Sequence, residues 1–210
     1  SVGLLLSTII MLLIIHASGL FRLRLSLFRS ISRRPLFLST ALVFTSMFVL
    51  NIFVQWLPLE DMMQDTFSGI SHNVLGALSL SLEEVMFRGA IQGYIARKTG
   101  KPILAIIVAS LIFGIFHINP IQVVYTSLLG MIFGWIYYRT GSLLSVIVGH
   151  VLNNSLAVVT TLLYSTSEEE AVADSLFGVV NFLVFAFLSI FFAVKLHRSL
   201  PPMEEAETEN

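Results

Sequence analysis

Long apolar runs, separated by short polar segments, dominate the sequence from one end to the other. A helix that crosses a bilayer needs about 20 mostly apolar residues, and seven runs reach or approach that length. We therefore predict an all-α, polytopic bundle of about seven transmembrane helices. The seven runs are residues 3–21, 36–57, 74–96, 102–118, 120–138, 142–164 and 174–196.

The seven runs form one predicted transmembrane domain, residues 1–198, followed by a polar tail at 199–210. The tail is acidic and carries Pro201 and Pro202, which cannot continue a helix, so we expect it to be disordered. The first run lacks a basic leading segment and a small-residue cleavage site, and it is therefore predicted to be a membrane span rather than a signal peptide. The chain begins with Ser1 instead of Met, which predicts a processed or trimmed N-terminus.

The charges between the runs predict how the bundle is oriented. Lys and Arg accumulate on the cytoplasmic side of membrane proteins. If each run crosses once, the basic segments after the first, third, fifth and seventh runs fall on one side, and the acidic connectors fall on the other. We therefore predict an N-out, C-in topology. The basic residues are Arg22, Arg24, Arg29, Arg33, Arg34, Arg97, Lys98, Lys101, Arg139, Lys195 and Arg198, and the acidic ones are Glu60, Asp61, Asp65, Glu168, Glu169, Glu170 and Asp174.

The composition agrees with lipid as the solvent and excludes several functions. Hydrophobic residues make up 56% of the chain and charged residues 12%, whereas soluble domains carry about 25% charged residues. The net charge is −1, so we expect no nucleic-acid partner, which would require a basic face. The absence of cysteine excludes disulfides, cysteine nucleophiles and thiolate metal sites.

Three formal charges fall inside the predicted hydrocarbon region, and all lie in the third run: Glu83, Glu84 and Arg88. An ionisable group there costs at least about 2.5 kcal/mol, so such residues usually face a polar interior and have a function. Glu84 and Arg88 are four residues apart and are predicted to pair on one helix face, whereas Glu83 is turned by about 100°. A purely structural Glu84–Arg88 clamp between helices is the alternative interpretation.

Two other runs supply imidazole and carboxamide groups. Phe113 and His117 lie one helical turn apart, just before the fourth run is broken at Pro120. In the sixth run, His150 and Asn154 share a face by the same spacing. At about 1.5 Å of rise per residue, the depths of these polar residues agree loosely with that of the glutamates, which permits one site.

A carboxylate, two imidazoles and a carboxamide around one water are the groups needed to hydrolyse an amide. Glu83 is suited to act as the general base, and His117 is suited to orient the water and to pass a proton to the leaving amine. His150 and Asn154 are suited to donate hydrogen bonds to the tetrahedral oxyanion, an interaction typically worth about 3 kcal/mol per donor.

Together, three motifs in this chain resemble those of the CPBP family of intramembrane proteases, which includes the type II CAAX prenyl proteases and bacterial Abi proteins. The family pattern is E-E-x-x-x-R on one span, F-x-x-x-H on the next and H-x-x-x-N on a later one, and it is matched by EEVMFR, FGIFH and HVLNN within residues 74–158. The resemblance implies an endopeptidase of the bacterial cytoplasmic membrane that cleaves a membrane-anchored protein or peptide, prenylated or leader-type. It implies a catalytic set of Glu83, His117, His150 and Asn154, supported by Glu84, Arg88 and Phe113.

The use of a metal stays open at this point. Glu83, His117 and His150 match the three ligands of a catalytic zinc site with an open position. We favour water activated by a glutamate without a metal, because no H-E-x-x-H pair lies on one helix.

Two other functions are compatible with the same residues. One is a non-catalytic membrane partner or immunity-type protein, in which Glu84 and Arg88 only hold helices together. The other is a small proton-coupled transporter that uses Glu83 as a proton relay, as intramembrane acids often do. Proteolysis by the purified protein would distinguish the enzyme from both.

Overall fold

A computed structural model describes residues 2–19, 24–57, 82–117, 119–164 and 176–200. These residues are all-helical, as predicted, and contain no strand. The tail from residue 201 and the first part of the third run, up to residue 81, lie outside the described residues. The elements are α1 (Val2–Ala17), a 3-10 helix (Leu25–Phe28), α2 (Arg33–Gln55), a π-helix (Val85–Gln92), α3 (Gly93–Thr99), α4 (Pro102–Ile115), α5 (Pro120–Thr140), α6 (Leu143–Tyr164) and α7 (Leu176–Ser199).

Three of the described helices, α2, α5 and α7, are long and apolar enough to cross a membrane. The fourth run was predicted to be helical over 102–118, but α4 ends at Ile115 and a turn carries Phe116 and His117. A helix of 14 residues rises about 21 Å, which is less than the hydrocarbon thickness of about 30 Å.

Several basic residues that were predicted to lie in connectors occupy the ends of helices. Arg97 and Lys98 lie in the last turn of α3, and Arg198 lies in that of α7, where the negative end of the helix dipole favours a cation. Arg139 is buried in the last turn of α5, and its Nη2 donates to the His197 carbonyl oxygen at 2.8 Å. This contact joins the ends of α5 and α7.

The third run is not a regular α-helix where its charged residues lie. Val85–Gln92 forms a π-helix, whose backbone hydrogen bonds span five residues instead of four. The sequence predicted an uninterrupted α-helix, because π-turns leave no clear periodicity signal. Such turns are rare and occur frequently at functional sites.

The main core lies between α2, α5, α6 and α7. Between α2 and α7, Phe48 stacks on Phe185 with ring centroids 4.3 Å apart, and the Ser189 hydroxyl donates to the Thr45 hydroxyl at 3.0 Å. Phe187, on the outer face of α7, is 68% exposed, as expected for a helix that is apolar all round and lies against lipid. The buried core residues are Leu38, Leu42, Val43, Met47, Leu50, Leu129, Phe133, Ile136, Val146 and Leu196.

Gly114 sets the closest approach of α4 to α5. A Cβ atom at this position would overlap the Ser127 side chain and lie 2.7 Å from the Val123 carbonyl oxygen. We expect Gly114→Ala to lower the free energy of unfolding by about 1–3 kcal/mol, measured by thermal unfolding in detergent. The control is Gly93→Ala, whose Cβ would meet the flexible end of Arg97 at 3.1 Å. Equal destabilisation by the two variants would contradict this account of the helix contact.

Candidate active site

Arg88 lies at the centre of a buried polar cluster. The side chain is 1% exposed, and its Nε lies 3.1 Å from Glu84 Oε2, so the predicted ion pair is confirmed. Its Nη2 donates to the Gly130 carbonyl oxygen at 3.2 Å. The guanidinium carbon lies 4.5 Å from the Phe113 ring centroid and 5.4 Å from that of Phe133. Both rings offer cation–π attraction, so the buried cation is stabilised from several sides.

Glu84 also binds His150, a contact that the sequence did not predict. His150 Nδ1 lies 2.7 Å from Glu84 Oε1. Because an ionised carboxylate only accepts hydrogen bonds, Nδ1 carries a proton and donates it to this bond. Glu84 therefore bridges Arg88 and His150, and it leaves Nε2 as the imidazole nitrogen available for chemistry. A carboxylate orients the histidine of a catalytic triad in the same way.

His117 is oriented by the backbone at the end of α4. Its own N–H donates to the Gly114 carbonyl oxygen at 2.9 Å, so the Phe113 carbonyl oxygen is left without its usual α-helical donor. His117 Nδ1 lies 3.0 Å from that oxygen. Since a carbonyl oxygen can only accept, Nδ1 is the protonated nitrogen, and Nε2 is again the one left for chemistry.

Phe113 lies between the two histidines. Its ring centroid is 4.9 Å from that of His117 and 5.9 Å from that of His150, and both contacts are edge-to-face. The F-x-x-x-H motif thus supplies an apolar spacer, Phe113, that is buried against the guanidinium and separates the two imidazoles.

Glu83 is buried beside this cluster. It is 5% exposed and interacts electrostatically with Arg88. Glu83 precedes Phe87 by four residues, and the Phe87 ring packs against Phe113 and Phe116 with centroids 5.0 and 5.5 Å apart. One turn beyond Glu83, Phe87 thus contacts the C-terminal end of α4, close to His117 in the sequence.

Asn154 joins the site through α6, one turn beyond His150. Its Oδ1 accepts a hydrogen bond from Asn153 Nδ2 at 2.9 Å, and Asn153 Oδ1 accepts one from the Tyr125 hydroxyl at 2.8 Å. In the part of the chain that the structure describes, Asn154 Nδ2 has no hydrogen-bond partner. Asn153 and Tyr125 were not predicted as site residues, and the signal in the sequence was a second polar residue beside Asn154 in an apolar run.

Gly130 and Gly134, one turn apart on α5, leave room for close packing and expose backbone acceptors. Gln92 Nε2 donates to the Gly134 carbonyl oxygen at 3.0 Å, one turn away from the contact of Arg88 with Gly130. A Cβ on Gly134 would lie 2.7 Å from Gln92 Oε1, and one on Gly130 would lie 3.1 Å from Arg88 Nη2. The glycine pair therefore lets polar side chains of the π-helix reach the backbone of α5. Gln92 was missed, although it follows Arg88 by four residues.

Among the residues that the structure describes, no three Asp, Glu, His or Cys side chains are grouped in a way that could hold a metal ion. Glu84 is engaged by the Arg88 cation and by His150 Nδ1. The zinc alternative, with Glu83, His117 and His150 as ligands, stays a prediction for experiment.

One family of known proteins matches the part of the chain that carries these residues. Residues 70–156 match the model of the family described as type II CAAX prenyl endopeptidase Rce1-like. The match confirms the resemblance predicted from the three motifs and covers all of them. With the apolar helices, it indicates an integral membrane protein. No curated protein and no solved structure matches the chain.

Proposed function

We propose that this chain, whose residues 70–156 match the family of type II CAAX prenyl endopeptidases, is an intramembrane endopeptidase. The observation that carries the proposal is the contact of Glu84 Oε1 with His150 Nδ1 at 2.7 Å in a buried setting. Taking ionised groups out of water costs several kcal/mol per ion, and an apolar bundle can pack without them. A carboxylate–imidazole pair at this position is therefore better explained by chemistry than by packing.

Glu83 acts as the general base in the proposed reaction. Its carboxylate takes a proton from a water molecule whose second hydrogen is held by His117 Nε2, and the water oxygen attacks the scissile carbonyl carbon. When the C–N bond breaks, its electron pair remains on the amine nitrogen, and His117 passes the proton from Glu83 to that nitrogen. The products are a carboxylic acid and an amine, and Glu83 is again ionised.

His150 and Asn154 stabilise the negative charge on the tetrahedral oxyanion. Asn154 donates through Nδ2. Both ring nitrogens of His150 donate in this state, Nδ1 to Glu84 Oε1 and Nε2 to the oxyanion. Each such donor is typically worth about 3 kcal/mol to the transition state.

The location of the site also defines the proposed substrate and membrane arrangement. Catalytic groups among apolar helices suit a membrane-anchored protein or peptide, prenylated or leader-type, that approaches from the bilayer. We infer that all seven runs cross the bacterial cytoplasmic membrane with the N-terminus outside and the C-terminus inside, which places the basic residues on the cytoplasmic side. The partners are thus the substrate and the lipid bilayer, with no nucleic acid.

Cleavage in the presence of a chelator tests both the activity and the absence of a metal. The purified protein in lipid vesicles is expected to cleave a lipid-anchored peptide at the same rate before and after treatment with a zinc chelator. A soluble zinc peptidase treated in parallel serves as the control. Loss of cleavage that is restored by zinc would show that a metal is required. Proton-coupled flux without any cleavage would instead support the transporter.

A further inference from the structure

We propose that Tyr125 and Asn153 are positioning residues that turn the Asn154 carboxamide so that its nitrogen faces the reacting carbonyl. The inference rests on the proposed function, because it assigns a role to these residues in oxyanion stabilisation. It is carried by a chain of hydrogen bonds that runs from α2 through α5 to α6 and ends at Asn154.

The first step fixes the amide orientation of Asn153. The Tyr125 hydroxyl on α5 donates to Asn153 Oδ1 at 2.8 Å. With its oxygen held towards α5, Asn153 presents its nitrogen on the other side, and Nδ2 donates to Asn154 Oδ1 at 2.9 Å. The Asn154 oxygen is thereby occupied, and its nitrogen is left as the outward-facing donor.

The second step fixes the hydroxyl of Tyr125 itself. This hydroxyl also hydrogen-bonds the side chain of Asn51 on α2. Tyr125 has one hydroxyl proton and gives it to Asn153, so Asn51 must be the donor in this second bond. Asn51 Nδ2 has two hydrogens, and the other is donated to the Met47 carbonyl oxygen at 2.9 Å. Each hydrogen bond in this series therefore has one defined donor and one defined acceptor.

The direction matters because an amide has a donor end and an acceptor end. If Asn154 were reversed, its oxygen would face the oxyanion and repel it instead of donating to it. Neighbouring side chains on a helix do not normally face each other, so the bond between Asn153 and Asn154 is not a default of helix geometry. It requires Asn153 to be held in place by Tyr125.

Two substitutions test this chain of hydrogen bonds. Tyr125→Phe removes only the hydroxyl and is expected to lower kcat about tenfold with KM unchanged, because the reversed amide orientation of Asn154 then predominates. Asn153→Asp keeps an acceptor for Tyr125 but cannot donate to Asn154, so a loss of about 100-fold in kcat is expected. Tyr138→Phe on the same helix is the matched control and should leave kcat unchanged.

The decisive measurement repeats Tyr125→Phe in an Asn154→Ala background. Without a carboxamide to orient, the loss of the hydroxyl should have no further effect on kcat. A merely structural Tyr125 would instead give the same fold-loss in both backgrounds, and this would overturn the inference. If the wild-type protein cleaves and Tyr125→Phe cleaves equally well, only the positioning role fails. If the wild-type protein does not cleave, the proposed function fails and the positioning role with it.

Discussion

Replacing Glu83 by Gln is expected to lower kcat by about 10³-fold, within the range typical of a lost general base. Glutamine keeps the size and most of the hydrogen bonding of the side chain but cannot take a proton from water. The amide should still fit, because glutamine has nearly the same shape and Arg88 keeps its ion pair with Glu84 at 3.1 Å. We therefore expect an unchanged KM and an unchanged thermal unfolding temperature, measured on vesicle-embedded protein with a lipid-anchored peptide.

The matched control is Glu204→Gln in the acidic tail, which should retain full activity. The pH–rate profile gives a second readout, because removal of the base should abolish the acidic limb of the wild-type profile. If Glu83→Gln cleaves as fast as the wild-type protein, Glu83 is not the base. Loss of activity together with a lowered unfolding temperature would mean that Glu83 has a structural role instead.

Replacing Arg88 by Ala is expected to have the largest effect on stability. Removing one member of a buried ion pair typically costs about 3–5 kcal/mol, because the other charge is left uncompensated. Here Glu84 would lose a partner at 3.1 Å, and Gly130 would lose the donor to its carbonyl oxygen at 3.2 Å. Thermal unfolding of Arg88→Ala in detergent should show a much lower midpoint temperature than the wild type. The midpoint of Arg88→Lys should lie between the two, because lysine keeps only the charge.

Arg29 provides the matched control for this prediction. It is exposed, and its Nη2 donates to the Thr140 carbonyl oxygen at 3.3 Å. Surface substitutions usually change stability by less than about 0.5 kcal/mol, so Arg29→Ala should leave the unfolding temperature nearly unchanged. Similar midpoints for Arg29→Ala and Arg88→Ala would rule out a stabilising role for the buried cluster.

Contacts within one helix could be predicted from the sequence. Glu84 and Arg88 are four residues apart. An α-helix and a π-helix both bring such residues to one side, and the ion pair forms. The helical nature of the described runs followed equally directly from their apolar composition. The charges in an apolar run, where charged residues are rare, also directed attention to a segment that the family match covers.

Contacts between helices could not be predicted from the sequence. Glu84 and His150 are 66 residues apart, and their contact depends on how two helices are rotated about their own axes. The π-helix at Val85–Gln92 changes that rotation and has no sequence signature of its own. The bond of Tyr125 to Asn153 depends in the same way on the register of α5 against α6.

The central claim is that Glu83 and His117, on separate helices, face one chamber, and cross-linking tests it most directly. The chain has no cysteine, so two introduced thiols are the only sites for a short bifunctional thiol reagent. We expect Glu83→Cys combined with His117→Cys to cross-link in membranes. The control combines Glu83→Cys with Leu111→Cys, since Leu111 is 45% exposed on the outer face of α4, and should not cross-link. Cross-linking in the control pair but not in the Glu83 and His117 pair would contradict a shared site.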